Sequence, residues 1–299
     1  MGRELAESNA SARAVFEEAD RALGFPLSKL CFEGPAEELQ LTANTQPAIL
    51  TVSVAAARVL EENGVRPDFV AGHSLGEYSA LVQSGAMPLA EAVRLVRKRG
   101  QYMQEAVPVG LGAMAALLGL GLDAVEEVCR EAAQGEVVSP ANLNSPSQVV
   151  IAGHKSAVVR AVELAKQRGA KRAILLNVSA PFHCALMQPA ADRLAQDLDA
   201  AEIRDSQVPV VNNVEAKPVR TAAALREGLK RQVTAPVEWE KSMRTLLGEG
   251  CGRFIEAGPG RVLTGMLRQI DRNVECLRVE DMASLHEVLE RTKGQRTSV

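Results

Sequence analysis

The residues with the clearest capacity for chemistry form the run Gly72-His73-Ser74-Leu75-Gly76. A short apolar run precedes it and a helical pattern follows it, which is the arrangement of a nucleophile elbow that exposes a serine hydroxyl. We expect Gly72 and Gly76 to be required because side chains would clash in so sharp a turn. The N-terminus of the following helix would stabilise negative charge that develops on an acyl adduct of Ser74.

A serine nucleophile needs a base to accept its proton. The four histidines are His73, His154, His183 and His286. We favour His183, which lies in a proline-containing loop past the carboxyl end of a predicted strand, where open α/β sheets place their sites. His73 is expected to pack beneath the elbow, and the other two to be structural or exposed. No acid evidently completes a triad, since Asp192 is predicted to lie on a helix surface.

The composition limits the classes of protein to consider. The chain has 299 residues, a net charge of −3 and 46% hydrophobic residues, which is typical of a globular enzyme and argues against a nucleic-acid partner. Its five cysteines form no Cys-x-x-Cys pair, so we expect neither disulfides nor a metal site. No signal peptide is recognisable, and no apolar run approaches the ~20 residues of a membrane span. We therefore expect a cytoplasmic protein with no membrane partner and no cofactor.

The elements that must position these residues alternate between strand and helix. Residues 112–179 follow a β-α-β-β-α-β order, which predicts a ferredoxin-like small domain. It would be inserted into a larger domain formed by 1–111 and 180–299. That domain is predicted to be an α/β, hydrolase-like, mostly parallel sheet flanked by helices. A helix from Pro88 is predicted to end before Gly100, which would place Arg99 in its last turn as a cation favoured by the dipole.

Several motifs together resemble the malonyl-CoA:acyl carrier protein transacylases of bacterial fatty-acid synthesis. They agree in order and spacing from about residue 34 to 267. The matching segments are the elbow, 97–104, 142–146, 149–153, 183–187, 209–213 and 256–260.

The resemblance implies a role for each site residue. Ser74 would be the nucleophile and His183 the base, with Gln232 orienting the histidine and a nearby backbone carbonyl replacing the usual aspartate. Arg99 would bind the malonyl carboxylate, and the Leu75 N–H would donate to the oxyanion. The malonyl group would pass from coenzyme A to Ser74 and then to the phosphopantetheine thiol of acyl carrier protein, in a ping-pong scheme.

Two substrate-binding expectations follow from the same resemblance. The planar fork of Arg99 can bind a carboxylate through two hydrogen bonds, so an uncharged acyl group would leave it unpaired. Phe182 stands where the fatty-acid enzymes commonly carry a small residue. Its ring is expected to narrow the acyl pocket and to disfavour α-branched groups such as methylmalonyl.

Acyl carrier proteins are generally acidic, so we expect a transient complex formed by a basic surface near the cleft. The candidate residues are Lys166, Arg168, Lys171, Arg172, Lys230, Arg231 and Arg268.

Two alternatives remain open at this point. A serine hydrolase of esters or thioesters would share the elbow but gives no reason for Arg99 or for the inserted domain. The family begins with a strand and a Gly-Gln-Gly-Ser-Gln loop, of which this sequence shows only the following helix. We expect the true start to lie upstream; otherwise the chain would be an impaired form or a non-catalytic subunit.

Overall fold

The structure is a computed structural model that describes residues 1–178 and 180–292. The helices are α1 Arg3–Ser8, α2 Ala10–Leu23, α3 Leu27–Glu33, α4 Ala36–Gln40, α5 Thr42–Glu62, α6 Gly76–Gln83, α7 Leu89–Glu105, α8 Leu122–Ala133, α9 Lys155–Gln167, α10 Gln188–Ala200, α11 Ala222–Gln232, α12 Trp239–Gly248, α13 Val262–Ile270 and α14 Met282–Thr292. The strands are β1 Val70–Ala71, β2 Gly112–Leu118, β3 Val138–Ser145, β4 Gln148–His154, β5 Arg172–Leu175, β6 Val210–Val211, β7 Pro218–Val219, β8 Arg253–Ala257 and β9 Glu275–Val279.

The predicted ferredoxin-like unit is present. Its four strands form one sheet in the order β3-β4-β2-β5, and every neighbouring pair is antiparallel. Helices α8 and α9 bury their apolar faces against this sheet, because both follow an amphipathic pattern. The run Asn144-Ser145-Pro146-Ser147 predicts a hairpin turn between β3 and β4. The turn occupies only 146–147, because Asn144 and Ser145 belong to β3.

The larger unit is the predicted α/β domain, and two of its three strand pairs are parallel. β1 pairs with β6 and β8 pairs with β9 in parallel, whereas β6 pairs with β7 in antiparallel fashion. Within the described residues these strands form two separate sheets of three and two strands. The apolar run over 208–214 predicts a longer strand than the observed Val210–Val211. The chain turns after Val211, where the Asn212 N–H donates to the Lys217 carbonyl and the Asn212 side chain accepts from the Glu215 N–H.

Two helix boundaries near the amino terminus differ from expectation. The apolar spacing over 5–23 predicts one amphipathic helix, but the helix is broken at Asn9, whose backbone is extended with φ −132°. The run Thr45-Gln46-Pro47 predicts a helix start with Pro47 in the first turn. Helix α5 begins earlier, at Thr42, so Pro47 lies inside it. The ring of Pro47 cannot donate to the carbonyl of Ala43 four residues earlier, and Arg97 donates to that oxygen instead, at 3.5 Å.

The predicted end of the helix that carries Arg99 is wrong. Helix α7 passes through Gly100 and continues to Glu105. A methyl group at Gly100 would lie 2.6 Å from the Thr42 carbonyl oxygen, so this glycine permits a close crossing with α5 and does not end the helix. Arg99 is therefore in the interior of α7 and only 2% exposed.

The small unit is attached to the large one by backbone hydrogen bonds. Val237 lies beside β3, where its N–H donates to Ala141 and its carbonyl accepts from Leu143, both at 2.9 Å. The Ser145 hydroxyl also donates to Gln269 on α13. We propose the predicted boundaries, 112–179 for the small domain and 1–111 with 180–299 for the large one; residues 179 and 293–299 lie outside the described part.

None of the helices in the described residues combines the length and the apolar composition needed to cross a membrane.

Candidate active site

The elbow joins β1 to α6 through a tight turn. Ser74 has φ 52°, the left-handed conformation that an elbow imposes on its nucleophile. A methyl group at Gly72 would lie 1.9 Å from the Gly76 carbonyl oxygen, so that position must be glycine. The same expectation for Gly76 is wrong, since a methyl group there would meet nothing within 4 Å. Its Cα faces open space at the first residue of α6.

His183 lies beside the serine and is held by a backbone carbonyl. Its Nε2 is 2.7 Å from Ser74 Oγ, and its Nδ1 is 2.9 Å from the carbonyl oxygen of Gln232. Because a carbonyl oxygen only accepts, Nδ1 carries the hydrogen and Nε2 is free to accept the serine proton. No carboxylate is needed in this role. Asp192 lies on α10, exposed and hydrogen-bonded to Gln188.

The surroundings of His183 keep its imidazole neutral. Burial, and next the positive charge of Arg99, lower the pKa of His183 to about 3. A neutral imidazole is the form that can accept a proton from the serine.

Arg99 brings a buried positive charge to the same point. Its Nη2 donates to Ser74 Oγ at 3.0 Å and to Gln232 Oε1 at 3.1 Å, and its Nη1 donates to Gln46 Oε1 at 2.7 Å. Its Nε is buried with no acceptor in the described part of the chain. The alternative of a solvated helix-end cation is therefore wrong, and the guanidinium retains N–H capacity for an anion.

The backbone N–H of Leu75 is a second available donor. It immediately follows Ser74 at the start of α6 and has no acceptor among residues 1–178 and 180–292. Its position beside the nucleophile is that of an oxyanion donor.

A buried polar cluster supports these groups from below, and sequence reasoning named only Gln232 among its members. Gln232 Nε2 donates to the Ser74 carbonyl at 3.0 Å and to Glu77 Oε2 at 2.7 Å. The Asn213 side chain accepts a hydrogen bond from the Ser74 N–H through Oδ1 at 2.6 Å. Through Nδ2 it donates to the Gly72 carbonyl at 2.7 Å. Gln46 was missed as well. The available signal was a polar side chain at a position of a helix or strand that is otherwise apolar.

The other histidines lie apart from the proton transfer. His73 Nε2 is 2.8 Å from Asn144 Oδ1 of β3, and its ring lies 5.4 Å from that of Trp239. His154 Nδ1 accepts from the Val137 N–H, and His286 is exposed on α14.

Phe182 precedes His183 and is half-buried at the junction of the two units. It packs against the main core and against a small cluster that includes Met114 and Cys184. Its ring is therefore held next to His183 by packing against both units.

Four of the seven candidate basic residues have carboxylate partners close by. The pairs are Lys166 with Glu163, Arg168 with Glu127 and Glu131, Lys230 with Asp199, and Arg231 with Glu215. Lys171, Arg172 and Arg268 have no such pair in the described residues.

This fold and this site define an acyl-transferring class of protein. The family described as acyl transferase domain matches residues 1–294, and the chain belongs to that family. The likeness extends to named relatives. The chain is 48% identical to the malonyl CoA-acyl carrier protein transacylase of Bacillus subtilis strain 168, over 99% of this chain and 93% of that one. It is 49% identical to the enzyme of that name from Escherichia coli K12, over 97% and 94%.

Solved structures give the same result. The malonyl CoA-acyl carrier protein transacylase of Coxiella burnetii superposes with a TM-score of 0.95 at 46% identity, covering 97% of this chain and 92% of that one. A malonyl-transacylase in complex with its type II PKS acyl-carrier protein superposes with a TM-score of 0.95 at 48% identity, covering 98% and 95%. The resemblance noted in the motifs is confirmed.

We expect the two elbow glycines to respond oppositely to alanine. Gly72→Ala should lower the free energy of unfolding by more than about 3 kcal/mol, since the new methyl group meets backbone that cannot yield. Gly76→Ala should raise it by up to about 1 kcal/mol, because alanine favours the helix and meets no neighbour. Urea unfolding followed by circular dichroism measures both changes. Equal destabilisation by the two variants would contradict the geometry described for the turn.

The lowered pKa of His183 predicts an unusual pH dependence of serine reactivity. Labelling of Ser74 by a fluorophosphonate should show no fall near pH 6.5, the ordinary histidine value, because the folded state keeps His183 neutral down to about pH 3. Rates measured from pH 8 to 5 by intact mass should vary less than about threefold. A titration near 6.5 would show that the imidazole is accessible to solvent protons.

The lowered pKa of His183 also predicts how the stability of the protein changes with pH. A depressed histidine pKa gives stability that is complete above about pH 6.5 and is lost as the pH falls toward 3. The wild type should therefore lose stability in that window relative to His183→Gln, which has no group to protonate there.

Proposed function

We propose that the chain transfers a malonyl group from coenzyme A to the phosphopantetheine thiol of acyl carrier protein, through a malonyl ester on Ser74. The observation that carries the proposal is the buried guanidinium of Arg99, 3.0 Å from the nucleophile and with its Nε unpaired. A site that must hold an acyl group with a terminal carboxylate needs this charge. A site for simple esters does not.

Acylation begins with the Ser74 hydroxyl. Its proton passes to His183 Nε2 while its oxygen attacks the thioester carbonyl. The tetrahedral oxyanion accepts a hydrogen bond from the Leu75 N–H. When the C–S bond breaks, His183 returns the proton to the departing thiolate, and coenzyme A leaves as a thiol. The transient imidazolium of His183 is stabilised by the hydrogen bond from its Nδ1–H to the Gln232 carbonyl oxygen.

Transfer to the carrier follows the same path in reverse. The phosphopantetheine thiol gives its proton to His183 and attacks the ester carbonyl, and Ser74 recovers a proton as the C–O bond breaks. Water could attack the same ester and release free malonate. The site must therefore favour attack by the thiol over attack by water.

Arg99 would supply the selectivity for a malonyl group. Its Nε and Nη2 lie on one edge of the guanidinium, which matches the two oxygens of a carboxylate. Binding would draw Nη2 away from Ser74 Oγ, so the oxygen becomes free as the substrate enters. An acetyl group offers no such partner and leaves the buried charge without one.

An acidic carrier protein is the partner that suits this reaction. We also propose a cytoplasmic location for the chain, because its substrate would be a coenzyme A thioester. Three candidate basic residues lack a carboxylate partner in the described residues: Lys171 and Arg172 at the start of β5, and Arg268 on α13. Attraction between a basic patch and an acidic carrier is screened by salt.

A serine hydrolase is the alternative. It shares Ser74 and His183 but requires no buried arginine beside the nucleophile. Arg99 is held inside the protein by three polar side chains. Burial of this positive charge is unfavourable unless a bound ligand pairs with it.

Intact-mass measurement after mixing with malonyl-CoA tests the proposal. We expect the wild type to gain one malonyl group and to release one equivalent of coenzyme A, and Ser74→Ala to gain nothing. Arg99→Met should be acylated by acetyl-CoA at least as well as by malonyl-CoA, because its pocket no longer carries a charge. Rapid release of free malonate with no adduct would favour the hydrolase, and no release of coenzyme A would mean a binding subunit.

Phe182 predicts a preference among malonyl thioesters. The wild type should use malonyl-CoA at least about tenfold better than methylmalonyl-CoA, as one methyl group in a closed pocket allows. Phe182→Ser should narrow that ratio by raising the methylmalonyl rate. The malonyl-CoA rate of the same variant is the control, and a ratio unchanged by the substitution would remove Phe182 from the acyl pocket.

A further inference from the structure

Glu77 is a buried acid that the reaction described above does not use. It is the second residue of α6, its side chain is 0% exposed, and it lies three residues past the nucleophile. Most of the surrounding residues of α6 are apolar. A carboxylate is costly to bury, so its contacts indicate what it does.

The two carboxylate oxygens of Glu77 are used unequally. Oε2 accepts from Gln232 Nε2 at 2.7 Å and from the Asn213 backbone N–H at 3.1 Å. Oε1 is buried with no partner in the described residues. Burial raises the pKa of Glu77 to about 7, and a proton on Oε1 would leave the two contacts of Oε2 in place.

The contact with Gln232 connects Glu77 to the reacting groups. The Gln232 carboxamide presents its NH2 to Glu77 and to the Ser74 carbonyl, and its oxygen to Arg99 at 3.1 Å. If this amide were reversed, its NH2 group would face the guanidinium, and two hydrogen-bond donors would oppose each other. The backbone carbonyl of the same residue holds His183.

Gln232 Nε2 has three acceptors, and the Glu77 oxygen is the nearest at 2.7 Å, against 3.0 Å for the Ser74 carbonyl and 3.4 Å for Asn213 Oδ1. Glu77 takes no part in the transfer itself. Arg99 must move when it binds a carboxylate, and the Ser74 carbonyl belongs to the nucleophile's own peptide. The Glu77 oxygen stays fixed, because α6 and the Asn213 N–H hold it from two sides.

We propose that Glu77 is a positioning residue: its Oε2 orients the Gln232 carboxamide, which in turn sets where Arg99 presents its N–H groups to the acyl carboxylate. This inference rests on the proposed function. The required property is an acceptor at the Oε2 position, not a negative charge, so glutamine can replace the acid if its amide oxygen takes that place.

The test compares substitutions at Glu77 by the ratio of kcat/KM for malonyl-CoA to that for acetyl-CoA. Glu77→Met removes the acceptor and should lower this ratio at least about tenfold, since a displaced guanidinium binds the carboxylate poorly while the serine and histidine remain. Glu77→Gln should restore the ratio to within about threefold of the wild type. Leu81→Ala, at a fully buried position on the same helix, is the control for general destabilisation and should leave the ratio unchanged.

A double-variant cycle shows whether Glu77 acts through Gln232. In a Gln232→Met background, which keeps the backbone carbonyl, Glu77→Met should change the ratio less than about twofold further. Should Glu77→Met fail to fold, Glu77→Asp withdraws the acceptor by one methylene and serves in the same comparison.

Three results would overturn the inference: an unchanged ratio in Glu77→Met, a ratio as low in Glu77→Gln as in Glu77→Met, or full additivity with Gln232→Met. A wild type that forms no malonyl adduct would overturn the proposed function and this inference together. A wild-type adduct with an unchanged Glu77→Met ratio would overturn the inference alone.

Discussion

A positive charge buried against a serine hydroxyl is the constraint that organises this protein. Arg99 is 2% exposed and is hydrogen-bonded only to neutral side chains in the described residues, those of Gln46, Ser74 and Gln232. Desolvation makes such a charge unfavourable unless polar groups surround it. The oxygens that surround it come from α5, the elbow and the end of α11, so three distant parts of the chain must converge on one side chain.

Close backbone approaches make that convergence possible. Gly100 lets α7 cross α5 near Thr42, which puts Arg99 beside Gln46. Gly72 lets the elbow turn sharply enough to lift Ser74 toward the same point. The base is then placed by a backbone carbonyl, at Gln232, and so its position depends on where α11 ends.

The sequence was sufficient for the local features and insufficient for the convergent ones. The elbow and the order of strands in the small domain follow from spacing and periodicity, which are local properties. Gly100 was misread as a helix end because a glycine that permits a crossing looks the same in sequence as a glycine that caps. Glu77 and Asn213 were missed because a polar residue in an apolar stretch marks an unusual position but does not indicate which distant residues it contacts.

The contact between the elbow and the inserted unit has a consequence for turnover. His73, next to the nucleophile, is hydrogen-bonded to Asn144, and Val237 extends the sheet of the same unit through its backbone. Any hinge opening between the two units would pull directly on the peptide that carries Ser74. The space between the two units should therefore keep one width throughout a catalytic cycle. The coenzyme A thioester and the carrier protein must then occupy the site in turn, each by diffusion and each on its flexible pantetheine chain.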